Sequence, residues 1–323
     1  TEDEGLDKKF KTLMEKTKEI NPQMQLAPYA GWGINKNLAI WESFGTEMTR
    51  QPWEASLSDT MLQCANSSFP DFYLDGLNRL ISEFGADGVY LDSTGNVPLC
   101  TRSGHGCGYV DDDGVLHGTY PIRATRELMK RIYKQTHNCG REGMVYLHTA
   151  YFALPIISFA DQVLVGEMGV IAWDSLGNID RDYYKAVMMG EHTGLPTILC
   201  WHTHSPYLKI KANQIIGFSL VHGQMTRQEP RAILNYSNKI QAPSYDADSY
   251  PLRHIYLLMD SFSKGEGTVF YPYWRNNEFI QLNNNNILAS FYTNRDGETL
   301  VFLCNLVNSP QRATINFNLS KPI

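Results

Sequence analysis

The sequence contains no apolar run of 18 residues or more, so it offers no candidate membrane-crossing helix. Its net charge is small for 323 residues and negative, −6, which excludes the basic surface that nucleic-acid phosphates require. Cysteine is sparse, six in all, too few for a disulfide-built scaffold in a chain of this length. The opening residues Thr1-Glu2-Asp3-Glu4-Gly5 lack the basic and apolar regions of a signal peptide. Neither G-x-G-x-x-G nor G-x-x-x-x-G-K-[ST] follows any apolar run, so no dinucleotide or P-loop site is expected, and no cofactor. Internal repeats and linker-like tracts are also missing.

What is present is a globular balance: 43% hydrophobic, 19% charged and 12% aromatic, with 18 Tyr and 6 Trp. Such a chain can bury a core and is not disordered, collagenous or coiled-coil. At about 150 residues per domain its length suggests two domains. Flat rings serve sugar-binding sites and cores alike. Sequons at Asn66, Asn235 and Asn318 permit secretion, and a secreted or extracytoplasmic location is the expectation.

Periodicity organises the chain. Leu6, Phe10, Leu13, Thr17 and Ile20 keep helical spacing up to Asn21-Pro22, and Tyr73, Leu77, Leu80, Ile81 and Phe84 keep it up to Gly85. Pro121 opens a third helix reaching about His137, and a fourth covers roughly 181–191. Between them lie short apolar runs read as strands: 24–30, 88–92, 144–148, 162–166, 196–201 and 215–221. Strands alternating with helices mean βα units and a parallel sheet, and runs without polar alternation are those covered on both faces. The fold class expected is α/β, a (β/α)₈ TIM barrel over residues 1–265, followed by a small antiparallel β-domain over 266–323. In that last part Asn294-Arg295-Asp296-Gly297 is a hairpin turn. Six strands are counted where a barrel has eight. Two are therefore expected to precede Thr1, leaving the remainder of a precursor, or another chain, to complete the barrel.

The chemistry-bearing residues fall just past strand ends, which is where a barrel builds its active site. Asp92 ends the run Gly88-Val89-Tyr90-Leu91-Asp92, and Glu167 follows Val163-Leu164-Val165-Gly166. Two carboxyl groups are what glycosidic cleavage needs, one to protonate the leaving oxygen and one to attack or stabilise the anomeric carbon. Each carboxylate has a plainer alternative, capping a helix or holding a loop. Tyr29 and Trp32 are candidates for stacking on a sugar or for core packing. His148, Trp201 and His202 are candidates for the wall of the same subsite. His202-Thr203-His204 supplies two zinc donors with no third identified, so no metal is assigned. Cys100 and Cys107 flank His105 in the loop after Asp92 and read as a disulfide or another loop staple; a metal site there needs a further ligand. Asp111-Asp112-Asp113-Gly114 begins like a calcium loop but lacks the later Glu, and a solvated turn is expected.

Several of these stretches carry a resemblance. Asp87-Gly88-Val89-Tyr90-Leu91-Asp92, the loop from Cys100 through His105-Gly106-Cys107-Gly108-Tyr109-Val110-Asp111, then Thr119-Tyr120-Pro121-Ile122 and Arg126 to Arg131 resemble bacterial proteins classed as glycoside hydrolase family 123-like. The match covers about residues 20–310. It implies a TIM-barrel glycosidase domain with a C-terminal β-domain, but no particular substrate. Relatives often carry an acid two positions before the glutamate matching Glu167, where this chain has Val165, which weakens a mechanism assisted by the substrate's acetamido group. If two strands are missing, Asp92 lies on strand four and Glu167 on strand six, an arrangement similar to the α-galactosidase clan. The resemblance then implies a retaining glycosidase with Asp92 as nucleophile and Glu167 as acid/base, and carbohydrate as partner. The competing readings are an inactive glycosidase-like protein kept for carbohydrate binding or assembly, and a metal-dependent hydrolase using His148, His202 or His204.

Overall fold

The computed structural model describes residues 4–51, 60–92, 97–140, 142–149, 152–167, 173–190, 193–201, 210–228, 251–263 and 267–318. The fold is mixed α/β, with a six-stranded parallel sheet and small antiparallel sheets toward the C-terminus. Two compact units divide at Leu164/Val165. Among the described residues no helix is long and apolar enough to cross a membrane.

In the first unit, the strands Tyr29–Gly31, Gly88–Asp92, Met144–His148 and Gln162–Val165 pair in parallel in that order. The register sets Tyr29 beside Tyr90, Tyr90 beside Tyr146, and Tyr146 beside Gln162. Val89, Leu91, Val145 and Leu147 alternate onto one face and are fully buried. Each contributes about 1.5–3 kcal/mol by leaving water. The helices Phe69–Ser82 and Ile122–His137 bridge successive strands, burying Phe69, Leu74, Leu77 and Ile81 on one and Leu128, Met129 and Ile132 on the other. Gly88 has no room for a side chain, since a Cβ there would stand 1.9 Å from the Met144 carbonyl oxygen.

The helix Glu4–Ile20 is anchored by charge. Lys18 Nζ lies 2.7 Å from Asp87 Oδ2, which also accepts the Leu26 N–H at 2.8 Å, and Asp87 is buried. This carboxylate ties the helix and the following segment to the entrance of the Asp92 strand. The expected strand 24–30 is correspondingly shorter, because Leu26 and Pro28 bond to residues 87, 88 and 90 as an extended approach before regular pairing starts at Tyr29. The segment Asp111–Gly114 turns between the paired strands Tyr109–Val110 and Leu116–His117. Asp111 Oδ1 accepts the N–H groups of Asp113 and Val115, and Asp111 Oδ2 lies 2.6 Å from His117 Nε2. The His117 hydrogen bond holds the Asp111 carboxyl below the usual carboxylate range, helped by the Val115 N–H.

In the second unit, Thr197–Trp201 and Met225–Gln228 pair in parallel. The run expected as a strand at 215–221 is instead part of the helix Ala212–Val221, and the strand starts at Met225. Ile215, Ile216, Phe218, Leu220 and Val221 are apolar around the whole helix and all are buried. A short continuous apolar run reads alike for a buried strand and a buried helix, and here the fully buried helix wins. It packs on the hairpin Ile287–Thr293 and Thr299–Asn305, where Ser290 Oγ donates to the Val221 carbonyl at 2.6 Å. Val269–Tyr271 completes that antiparallel sheet, and Ile280–Leu282 pairs with Ile315–Phe317. The hairpin turns at Asn294–Gly297, with Gly297 at φ 77°.

His222 sits at the centre of this unit among the rings of Tyr184, Phe218 and Trp274. Its Nδ1 donates to the Phe218 carbonyl at 2.7 Å, and Nε2 lies 3.1 Å from Tyr273 Oη. Burial pushes the imidazole down to about 4, with the Lys185 and Arg181 charges acting in the same direction. Between about 6.5 and 4 the unfolded chain therefore binds the proton and the folded chain does not, so stability present above 6.5 drains away as pH falls. Urea denaturation is expected to show a loss on the order of 3 kcal/mol across that window. His222→Gln is expected to flatten that portion of the profile; an unchanged slope in the variant would assign the effect to other groups.

Candidate active site

Parallel pairing brings the C-terminal ends of three adjacent strands together, and their alternate positions form the site. On the face opposite the buried Val and Leu residues stand Tyr90 and Asp92 of one strand and Tyr146 and His148 of the next. The Tyr90 and Tyr146 rings lie 5.0 Å apart, and Tyr90 stacks with His148 at 6.2 Å. Tyr29 meets the Tyr90 ring edge-on at 5.5 Å.

Asp92 is the convergence point. Tyr29 Oη donates to Asp92 Oδ2 at 2.5 Å, and His148 Nδ1 lies 2.9 Å from Asp92 Oδ1. The Asp92 side chain is 25% exposed and that of His148 14%, so the carboxylate faces a half-shielded opening. Its main-chain carbonyl is occupied too, accepting the Trp32 N–H at 3.2 Å. The contacts with Tyr29 and His148 fix the carboxylate plane, an orientation that suits attack on or stabilisation of a developing positive charge.

Of the residues expected at the site, the structure brings together Asp92, Tyr29 and His148. Tyr29 is 64% exposed, leaving ring surface for a ligand. Trp32 is only 3% exposed and tilts against Tyr73 at 6.1 Å, the core placement weighed against sugar stacking. Glu167 belongs to the second unit, half-buried, where Gly166 at φ 92° turns the chain after the strand Gln162–Val165. Trp201 ends the strand Thr197–Trp201, its side chain outside the described residues. His202 and His204 lie outside the described residues altogether. Cys100 and Cys107 are not bridged: all six cysteines are free thiols. Tyr90 and Tyr146 are not singled out by position at a strand end, but the matching patterns Tyr90-x-Asp92 and Tyr146-x-His148 carry their signal in the sequence.

No family model matches the chain, and no curated protein does. Among solved structures it is similar to AmyB, a noncanonic maltogenic alpha-amylase from Thermotoga neapolitana, with a TM-score of 0.58 and 12% identity over 92% of this chain and 67% of that one. At that identity the likeness shows the fold. Fainter likenesses are the glycoside hydrolase domain of PelA from Pseudomonas aeruginosa, at TM-score 0.46 and 14% identity over 68% of this chain and 82% of that one. Alpha-L-fucosidase isoenzyme 2 from Paenibacillus thiaminolyticus scores 0.46 at 13% identity over 67% of this chain and 35% of that one. The fold of this chain is thus like that of the amylase.

The hydrogen bond between Tyr29 and Asp92 is testable by itself. In urea denaturation, Tyr29→Phe and Asp92→Ala are expected to be non-additive, with a coupling of about 0.5–3 kcal/mol. Additivity to within about 0.3 kcal/mol would mean that the contact contributes nothing to the folded state.

Proposed function

We propose that this protein is a retaining glycoside hydrolase with Asp92 as its nucleophile. The observation that carries the reading is the fixing of the Asp92 carboxylate by Tyr29 and His148 at the C-terminal end of a parallel strand, within a glycosidase-like fold. In the first step an Asp92 oxygen attacks the anomeric carbon while an acid protonates the departing glycosidic oxygen. In the second, water attacks the glycosyl–Asp92 ester, its proton going to the conjugate base of that acid. Glu167 is assigned the acid/base role on the strength of its place after a strand in the sequence. Tyr29 and His148 hold the nucleophile and present edges to the sugar, and Trp201 and His202 are assigned to the same subsite from the sequence alone. Carbohydrate is the partner this chemistry implies, and an extracytoplasmic site of action goes with the proposal.

A panel of aryl glycosides led by α-galactoside and N-acetylgalactosaminide is the test. Asp92→Asn is expected to lower kcat by about 10⁴-fold or more, with carbohydrate binding largely intact by calorimetry. Glu167→Gln is expected to lose about 10²–10⁴-fold and to recover turnover with azide, which needs no base. Wild-type protein that binds sugar but turns over none of the panel would favour the inactive carbohydrate-binding reading.

A further inference from the structure

The Asp92 chemistry leaves one side-chain cluster unused, in the loop that follows its strand. Cys64, Cys100 and Cys107 are all buried, and their three Sγ atoms lie within 4.8 Å of one another. The Sγ atoms of Cys64 and Cys107 are 3.9 Å apart. The sequence shows only two of these thiols in one loop. The third arrives because the strand Thr60–Leu62 pairs with Gly33–Asn35 and the bridge between Thr49 and Gln63 carries the chain on to Cys64.

A fourth donor stands beside Cys100. His105 Nδ1 lies 3.5 Å from Cys100 Sγ, and the His105 side chain is only 5% exposed. Its other nitrogen, Nε2, lies 2.7 Å from the Glu47 main-chain carbonyl. A carbonyl only accepts, so Nε2 carries the hydrogen and Nδ1 presents its lone pair to the thiols. This is how metal-binding histidines are oriented, by a hydrogen bond on the far side of the ring. Two of the distances, Cys64 to Cys107 and Cys100 to His105, match edges of one coordination polyhedron. Zinc at about 2.3 Å from sulfur and 2.0–2.1 Å from nitrogen gives a tetrahedron with S···S edges of about 3.8 Å and S···N edges of about 3.5 Å. Donors to sulfur are also in place: the Arg102 N–H is 3.5 Å from Cys100 Sγ, and Asn66 Nδ2 is 3.5 Å from Cys107 Sγ. Gly106 and Gly108, at φ 64° and 78°, turn the chain on either side of Cys107. A Cβ on Gly108 would stand 2.9 Å from the Thr101 carbonyl oxygen, so the turn is closely fitted.

We propose that Cys64, Cys100, His105 and Cys107 form a closed structural zinc site that staples the loop after Asp92 to the segment carrying Cys64. Zinc displaces one proton from each of the three thiols to solvent, the neutral imidazole binds through Nδ1, and nothing is oxidised or reduced. Thiolate donors select zinc over magnesium or calcium. With four protein ligands no position is left for a water, so the site holds structure and activates no nucleophile. It is independent of the glycosidase reading.

The experiment uses the full chain, purified under reducing conditions and supplied with Zn²⁺ alone, then freed of loose metal. Elemental analysis is expected to give about one zinc per chain, released as an organomercurial titrates the thiols. Replacement by Co²⁺ is expected to give the strong visible bands of a tetrahedral thiolate site. Cys64→Ser, Cys107→Ser and His105→Ala are expected to lose the metal, and Cys139→Ser to keep it. Where a variant fails to fold, wild-type stoichiometry and the cobalt spectrum decide. A wild-type chain that holds no zinc would overturn the proposal. So would retention in both Cys100→Ser and Cys107→Ser, or a Cys64–Cys107 disulfide in mapped peptides of the freshly isolated chain.

Discussion

Alternation along adjacent parallel strands is the constraint on which the first unit rests. Successive side chains point to opposite faces, so Val89 and Leu91, with Val145 and Leu147, go into the core while Tyr90, Asp92, Tyr146 and His148 are sent to the other side. The burial that stabilises the sheet is therefore also what aims the carboxylate. No extra device is needed to place Asp92 beside His148, because the register that packs Leu91 beside Leu147 does it. The two carboxylates of this strand then divide their roles by position. Asp87, at the entrance, is buried against Lys18 and a main-chain N–H. Asp92, at the exit, is held by side chains that leave it partly open.

The loop beyond Asp92 meets a different difficulty, since Tyr109, Val110, Val115, Leu116 and Tyr120 are exposed rather than packed into a core. Loops of this size order either by packing or by cross-links, and backbone entropy is the cost to be met. Here a bridge between Cys100 and Thr119, the hairpin closed by Asp111 and His117, and the thiol–imidazole cluster supply the order. Apart from the cluster these are local contacts. The cluster reaches back to Cys64, and so joins the loop to the segment that carries that thiol.

Much of this was legible in the sequence, for identifiable reasons. The strands Gly88–Asp92 and Met144–His148 stand at the residues that short apolar runs mark, and the hairpin turns at Asn294–Gly297, where Asp-Gly marks it. Asp92 and His148 were legible because each ends a strand, whereas Tyr29, expected near a strand's end, opens the strand Tyr29–Gly31. Ile215–Val221 was not, because a helix buried on all sides has no polar stripe to reveal its period. Trp32 was not, because an aromatic past a strand end reads the same whether it faces a ligand or Tyr73. The thiol cluster was half-legible. Cys100, His105 and Cys107 share a loop, but Cys64 joins them through a tertiary contact that no local pattern encodes.

The three-strand contact among Tyr29, Asp92 and His148 has a consequence beyond chemistry. A slip of one residue between neighbouring strands sends Asp92 to the opposite face, where apolar helices meet it and neither donor can follow. Chains that assemble out of step thus bury an unpaired charge and lose the site in the same event.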